Sequence, residues 1–309
     1  MTPLAGLPQR IRLREVGPRD GLQGEGPVPP SERARLIEAL AAAGLTHIEA
    51  VSFVSPRAVP AMAGAAEVVA LVDQLPARAH LTVTALVPNQ RGAELALDAG
   101  VDELTATVAA SPTYNERNVG MSINASLSAI ASVVALARDK AGVPVDVVIS
   151  CAFGSPYEGD IPAKEVARLA DEAHSLGATA VTLADTTGMA TPRVLAEVLD
   201  ATGPDVGLHL HETRGTGLLN LYAALGLGVD RFDASVGGLG GSPFAEGAGG
   251  NVATESVVAL LDDLGVETGI SVDALLKAAR IAEELVGHPL PSGVAKVGPR
   301  TRLSRSSQK

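Results

Sequence analysis

Short apolar runs rich in β-branched residues alternate along the chain with longer Ala/Leu-rich stretches whose apolar positions recur at helical spacing. The short runs predict strands over residues 11–16, 47–52, 81–86, 103–108, 145–150, 180–184, 206–211 and 232–236. Each is followed by a helical stretch, for example residues 31–43 after the first strand and 163–175 after the fifth. Pro30-Ser31 and Thr191-Pro192 carry the Ser, Thr and Pro that favour helix starts. Strands alternating with helices imply βα units and a parallel sheet. Eight such pairs over residues 11–265 are the number a closed (β/α)8 TIM barrel requires. An open doubly wound sheet would usually carry a G-x-G-x-x-G turn after its first strand, and none is present there. Residues 272–286 predict one further helix, and no Pro/Gly/Ser-rich linker divides the chain. The expectation is therefore one α/β catalytic domain over residues 1–309. Its barrel spans about 11–265, and a C-terminal helical extension and tail span about 266–309.

Composition narrows the partners. Hydrophobic residues make up 46% of the chain and charged residues 19%, a globular balance. No apolar run reaches the roughly 18 residues of a membrane span. The opening segment MTPLAGLPQRIRLRE lacks the apolar stretch of a signal peptide, so no membrane association and a cytoplasmic location are expected. A net charge of −11 argues against a nucleic-acid partner, which needs a clustered basic face. Cys151 is the single cysteine, so an internal disulfide is impossible and a cysteine-based zinc site is disfavoured.

In such barrels the chemistry sits at the C-terminal ends of the strands. The first strand leads into Gly17-Pro18-Arg19-Asp20-Gly21, with an adjacent opposite-charge pair. In the seventh, His209 and His211 are two residues apart and so share a face, an arrangement that suits a divalent metal. Two buried, hydrogen-bonded histidines are the plainer alternative. Glu49 and Asp185 are assigned to the ends of the second and sixth strands, where either can ligate a metal, orient a base or pair with Arg19, or equally serve as a turn or N-cap residue. The eighth unit opens into a loop dense in glycine, from Gly237 through Gly240 and Gly241 to Gly250. Such a loop is free to close over a substrate or to bring backbone N–H groups to an anion. Asn251 ends the loop, as a helix N-cap or as an oxygen ligand to a metal. Arg57, Arg91 and Lys296 are available to phosphate groups, although solvated surface charge is the simpler role for each.

These segments resemble the hydroxymethylglutaryl-CoA lyases of the DRE-TIM metallolyase superfamily. The likeness runs from residue 11 to residue 284. It rests on EVGPRDGLQ (15–23), IEAVSFVSP (48–56), SCAFGSPYEG (150–159), LADTTG (183–188), HLHETRG (209–215) and GGLGGSPFAEGAGGN (237–251). The resemblance implies a barrel that uses Mg²⁺ or Mn²⁺ and cleaves an acyl-CoA by retro-aldol (Claisen) chemistry. It implies Asp20, His209, His211 and Asn251 as metal ligands and Arg19 as the residue that stabilises the enolate. Glu49 and Asp185 match acidic residues around them, and Gln23, Gly240 and Gly241 are implied at the substrate. A homodimer is a further implication. Two positions depart from the family pattern. Ser242 stands where the lyases carry a loop cysteine that takes part in proton transfer, and Glu212 stands where an aspartate is common. A serine hydroxyl is a much weaker acid than a thiol, so Ser242 would have to relay a proton through hydrogen bonding. Other readings are a lyase for citramalyl-CoA or a related thioester, an aldolase or condensing enzyme on a 2-oxo acid, and a non-catalytic metal-binding barrel.

Overall fold

The computed structural model describes residue 4, residues 6–241 and residues 249–301. Among these, eight parallel strands close into a barrel in the order in which they occur along the chain. They are β1 (Arg12–Glu15), β2 (His47–Ser52), β3 (Thr82–Leu86), β4 (Glu103–Ala109), β5 (Val145–Ser150), β6 (Ala180–Ala184), β7 (Gly207–His209) and β8 (Arg231–Ala234). The barrel closes where β1 pairs with β8, from Arg12 opposite Arg231 to Glu15 opposite Ala234. The helices are α1 (Pro30–Ala42), α2 (Ala65–Val72), α3 (Gln90–Ala99), α4 (Pro112–Val119), α5 (Ile123–Ala141) and α6 (Ala163–Ser175). They continue with α7 (Pro192–Thr202), α8 (Gly217–Gly226), α9 (Thr254–Leu264), α10 (Val272–Val286) and α11 (Gly293–Val297).

Alternation along each strand sorts the side chains. Leu13, Ile48, Val83, Leu104, Val147 and Leu208 are buried at one set of positions, in the core that joins strands to helices. Each such burial contributes about 1.5–3 kcal/mol. The alternate positions hold an ionic layer where many barrels hold branched aliphatics. Arg14 makes paired bonds to Asp233, Nε to Oδ1 at 2.8 Å and Nη2 to Oδ2 at 2.9 Å. Its Nη1 reaches Asp146 at 2.8 Å, and the Thr182 hydroxyl donates to Asp146 at 2.8 Å.

The expected strands are all present; β2, β5, β6, α6 and α10 have the expected limits, and the other strands and α1 are shifted by one to two residues at their ends. Strand β7 stops at His209 because the chain after it pairs elsewhere. His211 forms an isolated antiparallel bridge with Asn251, and the Val252 N–H donates to the Leu210 carbonyl. The unit after β4 holds two helices, α4 and α5, divided by the left-handed Gly120 and by Ser122, which caps α5. Thr191 caps α7 as expected, whereas Ser31 lies inside α1 and caps nothing, Pro29 being the N-cap there. No single helix among the described residues is long and apolar enough to cross a membrane.

Glu15 fastens the top of the barrel. Its Oε1 accepts from the N–H groups of Gly17 and Val236, and its Oε2 from the Thr254 hydroxyl at 2.6 Å. It thus joins β1, the turn after β8 and the start of α9. Burial pushes its carboxyl up to about 7, against the opposing pull of these three bonds. Between the unfolded value and about 7 the folded protein binds the extra proton, so this group's contribution falls as pH rises through that window. Glu15→Gln keeps the shape without the charge. It is expected to raise Tm at pH 8 relative to wild type and to shrink that difference at pH 4.5. A Tm difference unchanged with pH would contradict this reading.

Candidate active site

At the end of β1 the chain makes one wide turn over Gly17–Gly21, in which the N–H groups of Asp20 and Gly21 both donate to the Val16 carbonyl. Such π-type turns recur at functional sites. Here it lets two adjacent residues, Arg19 and Asp20, line the same cavity. Glu49 anchors Arg19. Nε donates to Oε2 at 2.6 Å, and Nη2 closes on the same oxygen. Nη1 donates to Asp20 Oδ1 at 2.8 Å. Of the two carboxylates expected as candidates for Arg19, Glu49 is the partner. It lies third in the six residues of β2 rather than at the strand's end, just before a bulge between Glu49 and Val51.

Asp185, the alternative partner for Arg19, takes instead the other role open to it, that of a turn residue. It does not line the cavity. Its N–H donates to the His209 carbonyl, and its Oδ1 accepts from the Ala190 N–H at 2.9 Å, closing the turn before α7. Burial pushes its carboxyl up to about 7, and its Oδ2 is buried without a partner.

His209 and His211 share a face, as the alternation predicts. Their Nε2 atoms lie 3.2 Å apart, and His209 Nε2 is 3.9 Å from Asp20 Oδ2. The tautomers follow from the other nitrogens. His211 Nδ1 faces the Gly249 carbonyl at 3.1 Å and His209 Nδ1 faces Asp233 Oδ2 at 3.0 Å. Both partners only accept, so both Nδ1 atoms carry protons. The two Nε2 atoms are then left facing each other, open to a proton shared between them or to a divalent cation. Burial lowers the His211 pKa to about 4, with His209 adding to the effect. Against the cost of burial, Asp233 and Asp20 hold the His209 pKa above its usual range. Burial likewise opposes ionisation of Asp20, but Arg19 and His209 hold its carboxyl below the ordinary range.

The Asn251 amide N–H₂ donates to Asp20 Oδ2 at 2.7 Å and to the Leu239 carbonyl at 2.9 Å, while its Oδ1 is buried without a partner. It is not an N-cap, because α9 begins at Thr254 with Ala253 before it. Candidate ligand atoms of Asp20, His209 and His211 all lie within 4.8 Å of one another. An orphaned amide oxygen, a carboxylate and two facing imidazole nitrogens fit a divalent cation.

Gly240 explains part of the glycine requirement. At φ +109°, a Cβ there would come within 2.4 Å of Asn251 Nδ2 and 3.0 Å of Asp20 Oδ2. Gly240 therefore abuts two candidate ligands, Asp20 and Asn251, rather than lining the cavity, whereas Gly241 and Gln23 do line it. Gly240→Ala is expected to displace Asn251 and weaken Mn²⁺ binding, read by titration calorimetry; an unchanged Kd would contradict this. Ser242 lies outside the described residues.

The cavity holds about 440 Å³, within the range of roughly 300–1,000 Å³ that takes drug-sized ligands. Arg19, Asp20, His209 and His211 crowd one part of it, and Val54, Leu86, Ile130 and Val133 make other walls apolar.

The HMGL-like family matches residues 10–282, most of the chain. This protein belongs to the HMGL-like family. It is 43% identical over 296 residues to a 3-hydroxy-3-isohexenylglutaryl-CoA/hydroxy-methylglutaryl-CoA lyase of Pseudomonas aeruginosa, covering 94% of this chain and 97% of that one. It is also 43% identical to an (R)-citramalyl-CoA lyase of Chloroflexus aurantiacus, covering 94% and 96%. A solved HMG-CoA lyase from Acinetobacter baumannii, in complex with coenzyme A and 3-methylmalate, superposes with a TM-score of 0.89. It is 39% identical and covers 98% of this chain and 99% of that one. The relatives of this HMGL-like chain are thus carbon–carbon lyases, and its barrel mouth holds a possible metal site. Sequence reasoning passed over two site residues, Arg14 and Asp233. Their signal is positional, because both are charged residues at inward strand positions, visible only once the strand register is known.

Proposed function

We propose that this protein is a divalent-metal-dependent carbon–carbon lyase that cleaves 3-hydroxy-3-methylglutaryl-CoA to acetyl-CoA and acetoacetate. The observation that carries the reading is the cluster of Asp20 with the facing Nε2 atoms of His209 and His211, beside Arg19, in a chain whose relatives are acyl-CoA lyases. Asp20, His209, His211 and Asn251 Oδ1 would hold the ion, Mg²⁺ or Mn²⁺. When bound, it supplies Lewis acidity that eases loss of the proton from the substrate's tertiary hydroxyl. The rest falls to the chain's own groups.

Asp233 and the Gly249 carbonyl keep both histidines in the tautomer that presents Nε2. Once the hydroxyl proton leaves, the neighbouring C–C bond breaks and its electron pair collects on the thioester fragment as an enolate. Arg19 neutralises that developing charge in a site with little water, where fixed donors act most strongly. Glu49 and Asp20 hold the guanidinium in place, so no reorganisation is needed as the charge appears. Ser242 relays the proton released from the hydroxyl to the enolate carbon, which becomes the methyl group of acetyl-CoA, so the cleavage neither gains nor loses a proton. Gln23 and Gly241 contact the substrate, and Gly240 keeps room for Asn251 and Asp20. Asp185 steadies β7 through its bond to the His209 carbonyl. A cytoplasmic location and a homodimer belong to the same reading.

The test is an assay of the purified protein with Mn²⁺, comparing 3-hydroxy-3-methylglutaryl-CoA, citramalyl-CoA and 2-oxo-acid aldols, with Ser242→Ala and Ser242→Cys alongside. Turnover of the first substrate is expected to be lowered in Ser242→Ala and retained in Ser242→Cys. Preference for citramalyl-CoA would move the acyl specificity. Turnover of the CoA-free substrates alone would replace the thioester lyase with an aldolase.

A further inference from the structure

His209, Asp233 and Arg14 stand side by side across three adjacent strands, because the ladders pair His209 with Asp233 and Asp233 with Arg14. All three are buried. Asp233 Oδ2 takes the His209 Nδ1–H at 3.0 Å and an Arg14 N–H at 2.9 Å, while Oδ1 takes the Arg14 Nε–H at 2.8 Å. Arg14 is itself held from the far side by Asp146 at 2.8 Å. Arg14 and Asp233 line both the active-site cavity and a second cavity of about 240 Å³ among inward-facing residues lower in the barrel. They form the partition between the two.

We propose that Asp233, clamped by Arg14, is a positioning residue that fixes the tautomer and orientation of His209 and thereby sets the affinity for the metal. The inference rests on the metal-lyase reading above. Both Asp233 oxygens accept from Arg14 and Oδ2 also accepts from His209, so a proton stays on His209 Nδ1 and Nε2 is the atom left for the ion. An asparagine cannot reproduce this in either orientation. With its N–H₂ toward His209 it would drive the ring to the opposite tautomer, with an N–H pointing at the ion. With its N–H₂ toward Arg14 it would set two donors against each other. Groups that orient ligating histidines in this way typically contribute about 10–100-fold to metal affinity.

The experiment uses the full chain. Mn²⁺ binding is measured by the EPR signal of free Mn²⁺ for wild type and Asp233→Asn, with circular dichroism checking that the variant is folded. In parallel, ¹⁵N-histidine NMR of the Mg²⁺-loaded wild type locates the ring proton of His209. A Kd weakened about 10–100-fold in a folded Asp233→Asn, with the wild-type proton on Nδ1, supports the assignment. Equal Kd values in folded wild type and variant overturn it alone. A proton on Nε2 in the Mg²⁺-loaded wild type overturns it together with His209's place among the ligands, a result that decides the matter even if the variant fails to fold. Failure of the wild type to bind Mn²⁺ overturns the metal reading and this inference with it.

Discussion

Replacing Arg19 by methionine is expected to lower kcat by about 10²–10³-fold or more, the loss typical of a deleted oxyanion donor, while Mn²⁺ still binds. Methionine keeps the length and apolar bulk of the arginine stem, so the turn over Gly17–Gly21 retains its packing. The guanidinium is what goes. Arg19 is buried and bonded to Glu49 and Asp20, an arrangement that fixes a positive charge facing the cavity. In a buried site that charge stabilises an enolate far more than it would in water. The substitution leaves Glu49 buried without its partner, so some loss of Tm is expected as well. Steady-state kinetics beside an Mn²⁺ titration separates these effects. Near-normal kcat in a variant that binds Mn²⁺ would remove Arg19 from the chemistry.

Asp20→Asn is expected to abolish turnover at stoichiometric Mn²⁺ and to recover a part of it at high Mn²⁺. Asp20 Oδ1 accepts from Arg19 and Oδ2 from Asn251. Whichever way an asparagine is turned, its N–H₂ faces one of these donors. The change also removes the one carboxylate of the ligand cluster, leaving Arg19 without one of its two counter-charges. Truncating one partner of a buried, hydrogen-bonded charge pair, here the carboxylate that would face the ion, costs about 2–5 kcal/mol of binding, on the order of a hundredfold in metal affinity. Equal Mn²⁺ affinity in wild type and Asp20→Asn would show that Asp20 is not a ligand.

The barrel is legible in the sequence because buried parallel strands read as continuous apolar runs, and eight of them recur between amphipathic stretches. The shared face of His209 and His211 is legible for a related reason, as alternation along an extended chain needs no knowledge of the neighbours. What depends on register is not. Glu49 and Asp185 looked equivalent as partners for Arg19. The closed barrel puts one against the guanidinium and turns the other into the loop before α7. Asp233 and Arg14 drew no notice because their meaning comes from cross-strand pairing with His209. Asn251 read equally well as an N-cap or a ligand. The difference lies in its bridge to His211, which ends β7 early and sets Asn251 beside His211 and Asp20.

The measurement that tests the central claim most directly is a titration of Mn²⁺ into metal-stripped protein with 3-hydroxy-3-methylglutaryl-CoA present, following acetyl-CoA and acetoacetate together. Turnover should be absent at the start, rise with Mn²⁺ to saturation at one ion per chain, and release the two products in equal amounts. Full turnover in the stripped protein, or saturation with Mn²⁺ and no cleavage, would contradict the assignment of Asp20, His209, His211 and Asn251 as the metal centre of a carbon–carbon lyase.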